Sequence, residues 1–144
     1  MTDSALFSLQ KVLPGQLRTE QLQGFFVGWP DPPSSETLLK ILEQSYLSAV
    51  ILHKDSKQVL AFINCISDGI LSCYIPLLEV LPEFQGQGFG GQLVQFIKEE
   101  CQEFYGLDIL CDPELIPFYS QFGFKKASGV LSRNYQAQSG RLIS

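Results

Sequence analysis

Two long apolar runs constrain the fold of this chain more than any other feature of its sequence. Val59–Ser67 reads VLAFINCIS and residues 71–81 read LSCYIPLLEVL, and neither run alternates strictly between apolar and polar positions. Nearly continuous apolar strands occur in sheets that are covered on both faces. The polar turn at residues 54–57 adds Leu47–His53 as a preceding strand. We therefore predict a β-meander at the centre of a sheet with helices on both sides.

Two segments with helical periodicity flank these strands. Ser34 or Ser35 is placed to cap a first helix, whose apolar residues recur every three or four positions as far as Tyr46. Residues 88–105 form the best helix of the sequence, because apolar residues share one stripe and charged residues lie opposite.

The remaining predicted elements are short. A third helix should follow Asp112, with Pro117 causing a kink or a restart and Gly123 ending it. Further strands are predicted at residues 16–19, 107–111, 124–127 and 130–135. The strand at 107–111 should run parallel to the strand before the long helix, because a helix connects the two. The predicted class is α/β, with a mixed sheet.

Length and charge limit what the chain can be. At 144 residues it is expected to form a single domain, residues 1–144. Ten basic and fifteen acidic residues leave a net charge of −5, which argues against a nucleic-acid binder. No apolar stretch approaches the length of a membrane span, and the first residues do not resemble a secretory signal, so we expect a cytoplasmic protein.

The four cysteines show no metal-binding pattern. Cys65, Cys73, Cys101 and Cys111 are spaced 8, 28 and 10 residues apart, without a CxxC pair. We expect small buried side chains with reduced thiols, and no metal site. Cys65 and Cys73 could face each other across a hairpin.

Residues 77–91 carry the clearest indication of chemistry. This segment joins the second apolar run to the best helix through a loop that holds Gly86, Gly88, Gly90 and Gly91. A backbone without side chains can approach a ligand closely, and the N–H groups that begin a helix bind phosphate groups. We therefore predict an anion site here. The alternative is that the glycines only permit a sharp turn and close packing of helix on sheet.

Gly86, Gly88 and Gly91 also match the GxGxxG fingerprint of dinucleotide-binding folds. That fingerprint opens its domain directly after a strand, whereas about 80 residues with predicted antiparallel hairpins precede it here. The 53 residues after Gly91 are too few for the remaining elements of such a fold. The dinucleotide interpretation is therefore disfavoured.

A resemblance to a known family rests on two motifs. Val80-x-Pro82-x-x-Gln85-Gly-x-Gly88-x-Gly resembles the acyl-CoA signature of the GNAT superfamily of N-acetyltransferases, written Q/R-x-x-G-x-G/A. Residues 116–124, IPFYSQFGF, are similar to the later FY-x-x-x-GF motif of the same family. Many members have Arg where Gln85 stands here. The resemblance covers roughly residues 47–135.

The resemblance implies an acyl-CoA site between two strands that splay apart, the one ending at Val80 and the one at residues 107–111. Acetyl-CoA is the implied co-substrate, with its pantetheine amides paired to the strand and its diphosphate on the glycine loop. The implied cofactor-binding residues are Leu78, Val80, Gln85, Gly86, Gln87, Gly88, Phe89, Gly90 and Gly91.

Catalytic roles are implied for three side chains and one backbone group. Tyr119 matches the family residue that assists the departing thiolate, and the Val80 N–H is the implied oxyanion donor. Tyr74 shares a face with Leu78 and Val80 if no bulge intervenes, so it could act as a base, directly or through water. Glu79 falls on the opposite face; it is either a base or a partnered structural carboxylate.

Acceptor specificity in this family lies largely in the N-terminal region, which here carries Phe25, Phe26, Trp29 and Asp31. An aromatic wall with a nearby acid would suit a small-molecule or peptide amine, although the same aromatics could simply cap the core. We expect no nucleic-acid or membrane partner, and a homodimer is left open.

The function implied is N-acetyl transfer from acetyl-CoA to a primary amine by a direct ternary-complex mechanism. The alternative is an acyl-CoA-binding sensor or interaction module without turnover. A ping-pong route through a cysteine is a minor third alternative.

Overall fold

The computed structural model describes residues 5–141. Within that range six strands form one mixed sheet, with the order β1-β2-β3-β4-β6, and β5 also pairs with β3. The strands are β1 (Phe7–Lys11), β2 (Leu47–His53), β3 (Val59–Ser67), β4 (Ser72–Tyr74), β5 (Leu78–Val80) and β6 (Gly106–Asp108). The α/β prediction with a mixed sheet is confirmed.

The predicted meander forms the centre of the sheet. Strands β2 and β3 have the predicted bounds and pair antiparallel, from Leu47 opposite Cys65 to Leu52 opposite Val59. Their side chains are almost all buried, as the two apolar runs require. The parallel pairing of β4 with β6 across the long helix is confirmed as well.

Three helices pack against or beside this sheet. Helix α1 (Ser35–Gln44) is capped by Ser34, whose hydroxyl accepts the Thr37 N–H at 3.1 Å. Helix α2 is Phe89–Glu100. A 3-10 turn at Pro113–Leu115 leads into the short helix α3 (Ile116–Ser120), so the helix restarts at Ile116, directly before Pro117, which matches the predicted kink or restart. None of the helices within residues 5–141 has both the length and the apolar character of a membrane span.

Helices cover both faces of the sheet, which divides the core in two. The α2 side buries one group of side chains, chief among them Ala49, Ile51, Ala61, Ile63, Cys65, Cys73, Ile75, Phe89, Leu93 and Ile97. The α1 side buries another, chief among them Leu22, Phe26, Leu38, Leu42, Val50, Leu52 and Phe62. The prediction of helices on both faces is therefore confirmed.

The N-terminal part of the sheet differs from the prediction. Strand β1, Phe7–Lys11, was not predicted; it pairs antiparallel with β2 and its side chains are half-buried, without a clear alternation. Residues 16–19 form no strand, and the following Thr19–Gln21 segment is a 3-10 turn. The edge position of β1 explains why its pattern is weak, since only one neighbour constrains it.

The C-terminal part is also less regular than predicted. Helix α2 ends at Glu100 rather than at 105, and β6 covers 106–108 rather than 107–111. Residues 124–127 and 130–135 form no strand, and Val130 is 98% exposed. A segment with strand-like composition stays irregular when no neighbouring strand offers it a ladder.

Candidate active site

Strands β4 and β6 stop pairing at one level of the sheet. Their last contact is the Ile75 N–H, which donates to the Asp108 carbonyl at 2.9 Å. Beyond it the chain continues as β5, which pairs with β3 instead. Within residues 5–141 no backbone hydrogen bond joins β5 to residues 109–112. The backbone ladder is therefore interrupted between β5 and residues 109–112, and we call this interruption the gap; it lies where the motifs led us to expect splayed strands.

A β-bulge separates β4 from β5. Tyr74 lies opposite Ile66 and Leu78 lies opposite Ile63, so three steps along β3 match four steps along the other strand. Because side chains alternate along a strand, the extra residue places Tyr74 on the face opposite to Leu78 and Val80. The predicted shared face, which assumed an unbroken strand, is therefore wrong. Tyr74 lies on the face of Glu79.

Asn64 of β3 holds this bulge. Its side-chain Oδ1 accepts the Leu77 N–H at 3.0 Å, and its own N–H donates to the Leu77 carbonyl at 3.2 Å. Its Nδ2 donates to the Ser45 hydroxyl at 3.1 Å, and the residue is 2% exposed. Asn64 was not singled out from the sequence. The sequence does contain an indication of its role, because an amide side chain inside the apolar run of residues 59–67 needs buried polar partners.

One edge of β5 carries backbone groups that point into the gap. The Leu81 N–H donates to Leu60 at 2.8 Å, which fixes the odd-numbered residues of this strand toward β3. Backbone groups alternate in direction along a strand, so the N–H and C=O of Leu78 and Val80 point away from β3. Gln85 reaches back to this edge, since its Nε2 donates to the Val80 carbonyl at 3.1 Å.

The loop after β5 exposes its backbone. Gly86 and Gly88 have φ of +82° and +88°, a region that side chains disfavour, and a Cβ at either position would meet no atom within 4 Å. These two glycines therefore serve the turn and leave the space around the loop open. Such a bare, open backbone fits the predicted anion site.

The first turn of α2 supplies N–H groups beside this loop. The first helical bond runs from Gln92 N–H to the Gly88 carbonyl at 3.1 Å, so the N–H groups of Phe89, Gly90 and Gly91 precede the helical ladder. No acidic residue lies in this turn to compete for them. The helix dipole adds positive potential at the same place.

Gly90 and Gly91 serve packing instead. A Cβ on Gly90 would lie 3.6 Å from the Phe118 ring, and one on Gly91 would lie 3.1 Å from the Phe122 ring. Of the two roles considered for the glycines, close packing therefore applies to Gly90 and Gly91. An open loop that can approach a ligand applies to Gly86 and Gly88. The missing side chains let α2 approach Phe118 in α3 and Phe122 just after it.

Tyr119 is buried where α3 meets this packing. It is 6% exposed, and its ring contacts Phe118 and Phe124 at centroid distances of 4.9 and 5.7 Å. Burial, with a smaller contribution from Cys111, raises the pKa of Tyr119 from 10 to about 12. The phenol is therefore neutral throughout the physiological range and available as a hydrogen-bond donor.

Glu79 is engaged by the N-terminal loop. Its two carboxylate oxygens accept the N–H groups of Phe26, at 2.8 Å, and Val27, at 3.2 Å. Phe26 has a φ of +62°, which an ion-dipole contact of this kind helps to hold. Of the two roles considered for Glu79, this geometry matches the partnered structural carboxylate.

The predicted aromatic wall is divided. Phe25 and Phe26 pack on Phe62 in the core, with centroid distances of 5.0 and 6.2 Å. Trp29 stacks on Phe26 at 4.8 Å and keeps 38% of its surface exposed. Asp31 pairs with Arg141 at 3.3 Å. Core capping therefore accounts for the two phenylalanines, and Trp29 is left as the exposed aromatic surface.

A cavity of about 1120 Å³ lies along β6, between the last turns of α2 and residues 123–131. Both tyrosines of interest, Tyr74 and Tyr119, contribute to its walls, together with Leu107 and Asp108. Its lining includes residues 107–111, where the chain leaves β6, and does not include β5 or the glycine loop.

The buried cysteines are poor candidates for a nucleophile. Burial, reinforced by the neighbouring thiols, raises the pKa of Cys65, and that of Cys101 rises from 9.0 to about 11. The reactive form of cysteine is the thiolate. A ping-pong route through these side chains is therefore disfavoured.

Comparisons with known proteins agree with this geometry. A candidate acetyltransferase of Deinococcus radiodurans R1 superposes with a TM-score of 0.90 at 37% identity, covering 96% of each chain. The uncharacterized N-acetyltransferase ycf52 of Gracilaria tenuistipitata var. liui is 28% identical over 68% of this chain and 56% of its own length. The chain thus spans little more than half of that curated relative. An aminoglycoside N-acetyltransferase in complex with CoA shares the fold, with a TM-score of 0.62, 14% identity and coverage of 89% and 93%.

The model of the acetyltransferase (GNAT) domain family matches residues 46–126. This range is more than half of the 144 residues and contains β2 to β6, the glycine loop and Tyr119. The chain therefore belongs to the GNAT acetyltransferase family, and the resemblance drawn from its two motifs is confirmed.

Proposed function

We propose that this chain transfers the acetyl group of acetyl-CoA to a primary amine, with both substrates bound at once. The observation that carries the proposal is the edge of β5 that points away from β3, which faces the gap and continues into an open glycine loop. Acetyl-CoA supplies an acyl group activated as a thioester. The amine nitrogen bonds to the acetyl carbon, the C–S bond breaks, and CoA leaves as a thiol while the amine loses one proton.

Backbone groups of β5 and the loop would hold the donor. The N–H and C=O groups of Leu78 can pair with a pantetheine amide as an added strand, which leaves the Val80 N–H for the acetyl group. The N–H groups of Phe89, Gly90 and Gly91 can hold the diphosphate. These contacts need no side-chain charge, which suits a chain with Gln85 where many family members have Arg.

The Val80 N–H is the proposed oxyanion donor. A donor fixed in a sheet costs no reorganisation when negative charge develops on the acetyl oxygen. Strand β5 pairs with β3, and Asn64 forms two hydrogen bonds with Leu77, just before β5. These contacts fix the position of the Val80 N–H at the edge of the gap.

Tyr119 is proposed to stabilise the departing thiolate. The pKa of Tyr119 is about 12, and that of the CoA thiol is about 8.5. Complete proton transfer from the phenol to the thiolate would therefore cost about 5 kcal/mol. Hydrogen-bond donation avoids that cost. The proposed role is therefore a donor to sulfur rather than a full acid.

Tyr74 and Glu79 share the other face of the strand, on the side of the N-terminal loop. Glu79 is proposed to fix the loop that carries Trp29, because its oxygens already accept two backbone N–H groups. Tyr74 can then assist removal of the amine proton, directly or through water. We therefore propose that the thioester end of the donor lies toward the α2 face, near Tyr119, and that a small-molecule or peptide amine approaches from the α1 face.

The proposal extends to the setting of the reaction. All four cysteines are free thiols, which suits a reducing compartment such as the cytoplasm. The net charge of −5 favours encounter with cationic amines over nucleic acid.

The test is to incubate the chain with acetyl-CoA and a pool of primary amines while free thiol is followed. We expect thiol release that depends on one class of amine, together with the acetylated amine by mass spectrometry. Tight CoA binding with thiol release no faster than background would overturn catalysis and favour the acyl-CoA-binding module instead.

Tyr119→Phe tests the leaving-group role with the acceptor so identified. We expect kcat to fall about a hundredfold, as is typical when a positioned proton donor is removed, with CoA affinity within about threefold of the parent. Tyr135→Phe, at an exposed position, is the matched control. Equal loss of kcat and CoA affinity would mean that Tyr119 only packs the site.

A further inference from the structure

Three cysteines that are distant in sequence meet inside the α2 side of the core. The sulfur atoms of Cys65, Cys73 and Cys101 all lie within 4.8 Å of one another. The three residues are 0%, 3% and 3% exposed. The expectation of isolated buried thiols with no metal site did not anticipate this cluster.

Three elements of the fold bring these sulfurs together. Ser67 lies opposite Cys73, and Cys65 lies two residues before Ser67, so Cys65 and Cys73 share one face of the sheet. Cys101 closes α2, where its N–H donates to Ile97 at 2.9 Å. A strand pair and a helix end therefore supply the set, which is why the spacing of 8 and 28 residues gave no warning.

Weak polar contacts orient two of the sulfurs. The Cys73 thiol lies 3.6 Å from the Ser67 hydroxyl, and the Cys65 thiol lies 3.6 Å from the Ile66 carbonyl. Within residues 5–141, no histidine or carboxylate belongs to the cluster. Its chemistry is that of three sulfurs in an apolar surrounding.

We propose that Cys65, Cys73 and Cys101 form a binding site for one soft, thiophilic metal ion, with cuprous copper as the best match. Soft thiolates select Cu(I), zinc and iron–sulfur clusters among biological metals. Structural zinc sites close with four protein ligands, whereas this set supplies three. On binding, each thiol releases its proton to solvent and forms one metal–sulfur bond; no electron is transferred.

The dimensions and access of the site agree with this assignment. Three sulfurs at about 2.3 Å from one ion lie about 4 Å apart, which is compatible with sulfur atoms that all lie within 4.8 Å of one another here. Cys101 also forms part of the wall of the 1120 Å³ cavity, which provides a route for the ion. A bound ion would tie α2 to β3 and β4.

The test is anaerobic titration of the reduced full chain with Cu(I) against a chromophoric chelator, with zinc as a parallel arm. We expect one equivalent of Cu(I) per chain, an ultraviolet sulfur-to-copper band and a rise in Tm, with weaker binding of zinc. Cys65→Ala and Cys101→Ala should each lower the Cu(I) affinity at least about tenfold. Cys111→Ala, which removes a thiol outside the cluster, is the control and should not.

X-ray absorption of the copper-loaded parent keeps the proposal falsifiable even if an alanine variant does not fold. Three sulfur neighbours support the site. Fewer than three, no stoichiometric binding by the folded parent, or unchanged binding in a folded double variant each overturns it. Tighter zinc than copper binding would overturn the copper assignment. None of these outcomes bears on acetyl transfer, because the cluster is separate from the proposed donor site.

Discussion

The two halves of the sheet are built differently. In the β1–β3 half, strands of five to nine residues pair side by side, and β2 and β3 are almost fully buried. In the β4–β6 half, each strand has three residues, and most of their side chains are half-buried. In the first half, which we call saturated, β2 and β3 have a partner on each edge and only β1 is an edge strand; in the second, which we call open, backbone groups of β5 point into the gap. The candidate site therefore lies where the ladder is interrupted inside the sheet.

The largest expected effect comes from placing proline in each half. Val80→Pro removes an N–H that points away from β3, so the fold should survive while kcat falls about a hundredfold to a thousandfold. Val50→Pro, in the interior strand β2, should instead abolish folding. Thiol release and far-ultraviolet circular dichroism measure the two outcomes.

Val80→Ala is the control for the side chain alone, and it should keep kcat within about threefold. Full turnover by a folded Val80→Pro protein would show that the oxyanion donor lies elsewhere. It would also show that the unpaired backbone groups of β5, which distinguish the open half of the sheet from the saturated half, do not serve the reaction.

A smaller effect should follow from Asn64 and Ser48, the two buried polar side chains within residues 5–141. Both lie in the β1–β3 half, but Asn64 bonds to Leu77, next to β5. Asn64→Ala leaves the Leu77 N–H without its acceptor and should lower the free energy of unfolding by about 2 kcal/mol. Because Asn64 holds the bulge, CoA affinity should fall as well. Chemical denaturation and calorimetry measure these two quantities.

Ser48→Ala is the matched control in the saturated half. Ser48 is 2% exposed and its hydroxyl donates to the Leu42 carbonyl at 2.6 Å. Its loss should cost about 1 kcal/mol of stability and leave CoA affinity unchanged. Equal effects of both variants on CoA affinity would contradict a positioning role for Asn64.

The smallest expected effect is the pH dependence that burial of Tyr119 imposes. In the unfolded chain a tyrosine has a pKa of about 10, and in the folded protein that of Tyr119 is about 12. The contribution of Tyr119 to the free energy of unfolding is therefore fully present below pH 10 and is lost as the pH rises toward 12. The reason is that the phenol of Tyr119 loses its proton at a lower pH in the unfolded chain than in the folded protein. At pH 11 the loss is about 1.4 kcal/mol.

Urea denaturation of the parent and Tyr119→Phe between pH 9 and 11.5 measures this contribution. The variant should show a flatter curve, with the remaining slope due to the buried thiols, whose raised pKa acts in the same direction. Tyr105→Phe, at a position 88% exposed, should follow the parent. Parallel curves for the parent and Tyr119→Phe would contradict the burial of this phenol.

Much of the saturated half was predictable from local patterns. The apolar runs predicted β2 and β3 with their observed bounds, and a cap at Ser34 or Ser35 predicted the start of α1, where Ser34 is the cap. Burial on both faces leaves a strong, unambiguous pattern. Strand β1 was missed because an edge strand with half-buried side chains carries little of that pattern.

The open half was predictable in its motifs and not in its details. The glycine loop and Tyr119 lie where the two motifs led us to expect them, between β5 and α2 and in α3. The bulge places Tyr74 on the face of the sheet opposite to the predicted one. Counting alternate residues along a strand gives the wrong face when the strand contains an extra residue. The two final strands do not form, since a strand exists only with a partner.

By itself, the sequence determined the mixed sheet, the family and the loop at which the chain leaves its backbone bare, because these depend on local periodicity and on short motifs. Only the tertiary structure decided which backbone groups of β5 face the gap, that Glu79 holds the N-terminal loop, and that three cysteines meet behind α2. The physical reason is the same in each case. Strand register and helix packing set these neighbours, and both arise from contacts between residues far apart in the chain.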